Sequence, residues 1–159
     1  EMDLANLLTR TEGRMNGRLR HYDSDLHGIG HLREVALLAG RIAGELGSDV
    51  EAAMVAGLLH DCGRVDDGGG NQHALDSAAL ARPILEDCFP HLDAERIVDA
   101  IARHADGLVT KDPLAGALWD ADRLRLVRLG HEVRLELLST EPGKAMAAGQ
   151  SARPRRGRA

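Results

Sequence analysis

Val50-Glu-Ala-Ala-Met-Val-Ala-Gly-Leu-Leu-His60-Asp61 is a hydrophobic stretch that ends in a histidine–aspartate doublet. Ser48 and Asp49 ahead of it are good helix N-cap types, and Met54, Val55, Leu58 and Leu59 carry the helix into the doublet. An ionised carboxylate is costly to desolvate without a partner, so an apolar helix closing on two metal-ligand types marks a binding place. The doublet gains weight from its neighbours. His31 lies upstream and Asp122 downstream, each where helical periodicity calls for an apolar residue.

Working outward, six helical segments are expected. The first spans about Asp3 to Leu19, with Leu4, Leu7, Leu8 and Met15 as its stripe. The second spans Ile29 to Leu46, facing inward with His31, Val35, Leu38, Ile42 and Leu46, and Gly47 closes it. After the helix of the doublet, residues 63–72 hold Asp66, Asp67 and Gly68-Gly69-Gly70, which predict an irregular lip beside the site. A fourth helix runs from about His73 to Leu85, with Pro83 expected to end or kink it. The fifth starts near Asp93 and carries Ile97, Ile101 and His104 on one face. The sixth has Asp112 as cap and Pro113 at its first position, and its stripe reads Leu118, Asp122, Leu126, Leu129 and Val133. From Glu141 the apolar periodicity stops, and residues 142–159 read as a disordered basic tail.

The chain has 159 residues, enough for one domain with a real core. Its aromatic residues are Phe89, Trp119 and Tyr22, so Leu, Ala, Val and Ile must fill that core, a composition that favours helix over strand. A formal net charge of −5 argues against a general nucleic-acid coat, and no nucleic-acid partner is expected. Cys62 and Cys88 form no disulfide framework. No apolar run approaches the ~20 residues of a membrane span, and no signal-peptide pattern opens the chain. The expectation is a cytoplasmic protein away from the membrane.

Taken singly, His31 reads as a satisfied core histidine, and Asp122 as a partner of Arg123 or Arg125. Together His31, His60, Asp61 and Asp122 supply two imidazoles and two carboxylates from three helices. That nitrogen–oxygen mixture suits a divalent Mn, Fe, Co, Ni or Zn ion with open positions, and not a closed cysteine-rich zinc site.

The order His31, His60-Asp61, then Asp122 within Trp119-Asp-Ala-Asp-Arg-Leu resembles the HD-domain superfamily. His27-Gly-Ile-Gly-His31-Leu-Arg-Glu-Val and Leu58-Leu59-His60-Asp61-Cys-Gly-Arg64 fit as well, so the resemblance covers about residues 20–135. It implies an all-α bundle over residues 1–141 with a central metal. It also implies a metal-dependent phosphohydrolase that acts on a nucleotide or small organic phosphate through a metal-activated water. In that family's terms Asp122 is the ligand, and Asp120 sits in a supporting or substrate-facing role. Arg64 stands where many members place a cation near substrate phosphate. His73 and His104 stand where some members place extra ligands or phosphate-binding histidines, which would admit a second metal. From the residues themselves, His104 continues an inward face, His73 fits a general acid or a surface residue, and His27 sits four residues before His31 in a loop. His21, His91 and His131 look peripheral.

Some subfamily patterns are missing. Arg64 replaces the glutamate of the short deoxynucleotide monophosphatase type, and neither the Gly-Tyr-Pro element nor the Glu-Asp pair of other subfamilies is present. Two further readings remain open: a di-iron oxygenase with Asp61 bridging two ions, and a metal-stabilised binding module without turnover.

Overall fold

Asp49 accepts a hydrogen bond from the Ala52 amide and starts the helix that organises the molecule, Val50–Leu59. In the computed structural model, which describes residues 2–151, every side chain of this helix from Ala52 to Leu59 is buried. A helix that is apolar all round belongs in the middle of a bundle. The described residues form α1 (Leu4–Met15), α2 (Ile29–Glu45), α3 (Val50–Leu59), α4 (Gln72–Cys88), α5 (Ala94–Ala102), α6 (Pro113–Arg125) and α7 (Glu141–Ser151). Two 3-10 turns, Leu126–Leu129 and Leu135–Leu137, link α6 to α7. There is no strand among the described residues, so the fold is all-α, with seven helices where six were expected. None is long and apolar enough to cross a membrane.

α2, α3 and α6 pack together at the centre, and α4 and α5 form a second pair beside them. α3 meets α2 so closely that a Cβ at Gly57 would lie 2.5 Å from the Ala36 Cα. Asp93 and Asp112 cap α5 and α6 through the Arg96 and Leu114 amides, as their residue types predict. Trp119 is buried and donates from its indole to the Ala100 carbonyl, which joins α6 to α5.

Several boundaries differ from expectation. α1 stops at Met15 because Asn16 turns into the left-handed region (φ 48°). On α2, Leu46 is exposed and Leu38 half-buried, whereas Leu32, Ala36, Ala39 and Ala43 are buried. Both α3 and α6 lie on this helix, so its covered face is wider than one stripe. Pro83 does not end α4, which continues to Cys88. Proline removes the bond to the Ala79 carbonyl, but Ala79 is exposed to water, while Ala81, Ile84 and Leu85 hold the following turn in the core. α6 ends at Arg125, not near Val133, and passes into a 3-10 turn closed by Gly130 at φ 84°.

The largest difference is α7. Residues 142–151, expected as part of an irregular tail, are helical and bury Ala147. Polar contacts dock this segment, which is why apolar periodicity did not reveal it. Asp120 on α6, fully buried, accepts from the Ser139 amide (2.8 Å), the Thr140 amide (2.8 Å) and the Thr140 hydroxyl (2.7 Å). Arg123, one turn on, donates to the Leu137 carbonyl. The basic residues 152–159 of the expected tail lie outside the described residues.

Candidate metal centre

The C-terminal end of α3 delivers His60 and Asp61 into the bundle, where His60 is completely buried and Asp61 nearly so. The His60 Nδ1–H donates to the Gly57 carbonyl (2.7 Å), one helical turn back, so its Nε2 faces away from the helix. His31 enters from the first turn of α2 and Asp122 from the third turn of α6. Asp122 Oδ1 lies 3.2 Å from His31 Nε2 and 3.4 Å from His60 Nε2. Asp61 Oδ2 lies 3.4 Å from His60 Nε2 and 3.8 Å from His31 Nε2.

The other oxygen of Asp61 faces a second pair of histidines. Asp61 Oδ1 lies 3.4 Å from His104 Nε2 and 3.5 Å from His73 Nε2. His104 follows the end of α5 and donates from Nδ1 to the Ile101 carbonyl (2.7 Å), repeating the arrangement at His60. Such backbone bonds fix ring orientation and leave Nε2 as the free lone-pair donor of a neutral imidazole, as in metal-ligating histidines. Two overlapping sets result, His31–His60–Asp122 and His60–Asp61–His104, each with its ligand atoms within 4.8 Å of one another. His60 Nε2 and Asp61 Oδ1 are buried without a hydrogen bond. Buried polar atoms of this kind need a partner, and a divalent cation accepts all these donors at once.

The electrostatics agree with that reading. Burial disfavours charge on His60, but the attraction of Asp61 and Asp122 outweighs it and raises the imidazole well above its ordinary value. Burial likewise works against ionisation of Asp61, yet His60 and His104 hold its carboxyl well below the usual carboxylate range. Asp122 is held low in the same way, against burial, by His31 and His60. A proton on this cluster occupies the role that a metal ion can take, so binding and deprotonation are linked. Burial and the neighbouring Arg64 push His73 down to about 4, which leaves it neutral near pH 7 and unsuited to donate a proton. Cys62, next to the doublet, is pushed up to about 12 by burial and by Asp61, which keeps it a thiol.

Arg64 lies at the edge of the centre, held by protein groups. Its Nε ion-pairs with Asp61 Oδ2 at 3.2 Å, and its Nη2 donates to His73 Nε2 at 3.3 Å. Its Nη1 donates to the Gly68 carbonyl (2.9 Å) and, at longer range, to Asp66 O (3.4 Å). The guanidinium is therefore engaged by protein groups at the edge of the centre. His27 is buried and packs edge-on against His31 with ring centroids 5.6 Å apart. Its Nδ1–H donates to Asp67 (2.8 Å). Asp120 does not face this space, because its oxygens are occupied by the 139–140 segment. The substrate-facing reading of Asp120 gives way to the supporting one. His21, His91 and His131 are exposed on the surface.

Sequence reasoning overlooked Ser24 and Asp67, which meet across the loops beside the centre (2.7 Å). They are 43 residues apart, and no local periodicity pairs them.

Comparison with known proteins accords with this geometry. The chain is 34% identical over 148 residues to ribonuclease Y of Wolinella succinogenes, covering 86% of this chain and 28% of that protein. It is 39% identical over 126 residues to ribonuclease Y of Syntrophotalea carbinolica, covering 78% of this chain and 22% of that one. The chain thus spans about a quarter of the length of these curated relatives. A crystal structure described as a predicted HD superfamily hydrolase from an uncultured Thermotogales bacterium superposes with a TM-score of 0.71. That match has 26% identity and covers 95% of this chain and 92% of the other. The HD domain model matches residues 28–129, from the residue before α2 to the end of the first 3-10 turn, and the chain belongs to the HD domain family.

Proposed function

We propose that this protein is a metal-dependent phosphohydrolase acting on a nucleotide or small organic phosphate. The observation that carries the reading is the convergence of His31, His60, Asp61, His73, His104 and Asp122 around buried atoms that lack hydrogen bonds. His31, His60, Asp61 and Asp122 would hold a divalent ion. A bound divalent ion supplies Lewis acidity, lowering the pKa of water and polarising a phosphoryl oxygen. Asp61, with one oxygen toward each histidine set, is suited to serve a second ion held with His73 and His104.

The chain's own groups define the rest of the chemistry. His60 and His104 are oriented by backbone carbonyls, so the centre is preorganised. Arg64 lies 3.2 Å from Asp61 through its Nε, and a phosphate reaching this edge would meet a cation already aligned there. His73, neutral, is suited to serve as a ligand and not as an acid.

Two observations favour second readings. The relatives named ribonuclease Y bring RNA phosphodiesters into the substrate range. Asp61, with one oxygen toward each histidine set, would also suit a di-iron oxygenase, and a binding module without turnover would use the same ligands. The test is phosphate and phosphodiester release from nucleotides, sugar phosphates and a short RNA by protein reloaded with Mn, Co, Ni, Fe or Zn, with Asp61→Ala as control. Metal-dependent release lost in Asp61→Ala supports the hydrolase. Bound metal with no release, together with iron-dependent oxygen uptake, replaces it by the oxygenase. Silence in both assays leaves the binding module.

A further inference from the structure

The segment between Arg64 and His73 begins and ends at the metal centre, and its middle is tied down somewhere else. Arg64 and His73 both contact Asp61, whereas Asp67 reaches across to the loop before α2. There Asp67 accepts from the Ser24 hydroxyl (2.7 Å) and from His27 Nδ1 (2.8 Å). The Ser24 hydroxyl also receives the amides of Leu26 (3.0 Å) and His27 (3.3 Å), so the same oxygen shapes the loop that carries His27. At its far end the segment is joined to the turn after α5 by Asn71, which donates to Asp106 (3.3 Å).

Residues 65–71 are exposed, and Gly68-Gly69-Gly70, with Gly70 at φ 89°, supply little side-chain packing. Their hold is polar: the Asp67 contacts, the Asn71–Asp106 bond, and the Gly68 and Asp66 carbonyls on Arg64. Beside them the site is nearly sealed. The side chains of His31, His60, Asp61 and His104 are at most 2% exposed, and only His73 (12%) and Asp122 (14%) reach solvent appreciably. His73, one of these two edges, follows closely on the end of the 65–71 segment.

We infer that residues 65–71 form a strap latched by Asp67 to Ser24 and His27, and that this latch selects substrates by size at the metal centre. Release of Asp67 frees the strap to swing on its glycines and withdraws the Gly68 and Asp66 carbonyls from Arg64. Nη1 of the guanidinium is then free to receive an anionic substrate group, while Nε and Nη2 stay on Asp61 and His73. A small phosphate enters after a brief local opening, whereas a long phosphodiester needs the strap held open. The latch therefore disfavours RNA relative to small phosphates, and in this the inference rests on the proposed hydrolase reading.

The experiment compares wild type, Asp67→Ala and Ser24→Ala in three measurements. In metal-free Asp67→Ala, which loses both latch bonds, amide hydrogen exchange is expected to rise about tenfold or more at residues 24–28 and 65–71, and nowhere else. It should rise by less in metal-free Ser24→Ala, which keeps the bond between His27 and Asp67. In cobalt-loaded protein, EDTA should strip the metal faster from both variants, and faster from Asp67→Ala than from Ser24→Ala. In turnover, hydrolysis of a ten-nucleotide RNA should gain on hydrolysis of p-nitrophenyl phosphate. Unchanged exchange in both variants overturns the latch, as does exchange that spreads through α2 and α3 with a lowered Tm. Faster exchange and metal loss without any shift in the RNA-to-small-ester ratio overturns the size selection. Protein that neither holds cobalt nor hydrolyses any phosphate defeats the hydrolase reading, and the exchange measurement still decides the latch.

Discussion

Asp120 and Asp122 stand two residues apart on α6 in the helical bundle; Asp120 is fully buried, and Asp122 keeps a narrow solvent edge. Asp120 is surrounded by donors: two backbone amides and a hydroxyl, all within 2.8 Å. Asp122 instead faces imidazole nitrogens of His31 and His60, beside the hydrogen-bond-free Nε2 of His60. A buried carboxylate that is saturated by fixed donors serves the fold. One that shares its space with other lone-pair donors is complete only with a cation. The two-residue offset puts them on different sides of α6, so one helix anchors α7 and contributes Asp122 to the candidate metal centre.

The sharpest way to break this contrast is to truncate each residue. Asp122→Ala is expected to lower metal-dependent turnover by about 10³-fold or more, the several kcal/mol of Lewis-acid stabilisation a metal ligand secures. Its metal-free Tm should fall less than that of Asp120→Ala, as calorimetry on the apo protein would show. Asp120→Ala should do the reverse. Three donors lose their acceptor, for an expected destabilisation of roughly 3 kcal/mol in urea unfolding, with one metal still bound per site. If the two variants fail in the same way, the division of labour between them is wrong.

A pH experiment sharpens the comparison further. His60 has a folded-state pKa above its ordinary 6.5, so its contribution is fully present below 6.5 and is lost as pH rises through the raised value. His73, lowered to about 4, has the opposite sign: its contribution is present above 6.5 and is lost as pH falls toward 4. Metal-free protein should therefore lose Tm on either side of a maximum near pH 6.5. Saturating metal should remove the alkaline loss, because the ion takes the place of the proton, and a thermal scan at pH 6.5 and 8.5 checks this.

The smallest effect belongs to Gly143 in α7. A Cβ there would lie 2.3 Å from Asp120 Oδ2, so Gly143→Ala must push α7 away from the clamp. About 2 kcal/mol of stability should be lost, by the usual measure of overpacking, and turnover per folded molecule should be preserved. A fall in turnover matching Asp122→Ala would mean that α7 sets the metal ligands directly.

Much of the site could be read from residue order, because it is attached to regular helices. His31 and Asp122 interrupt apolar periodicity, and the doublet follows a fully apolar helix, so three anomalies pointed to one place. His104 was legible only as the continuation of an inward face. The helix stops short of it, and its placement depends on a bond to Ile101. Arg64 was legible as a cation beside the site but not as one engaged by Asp61, His73 and the strap carbonyls. The docking of α7 was hidden because it depends on Asp120 and Thr140 and not on an apolar stripe.

By itself the sequence determined the helices through their caps, Asp49, Asp93 and Asp112-Pro113, and set His31, His60-Asp61 and Asp122 in the order of the family. These are local matters of propensity, capping and periodicity, and they need no knowledge of distant residues. Only the tertiary structure decided that Asp61 turns one oxygen to each histidine set, that Asp67 crosses 40 residues to His27, and that Asp120 supports α7 and not the substrate. The reason is physical. A polar side chain takes whichever partner the packing brings within hydrogen-bond reach, and that choice is made between elements, where sequence spacing carries no distance.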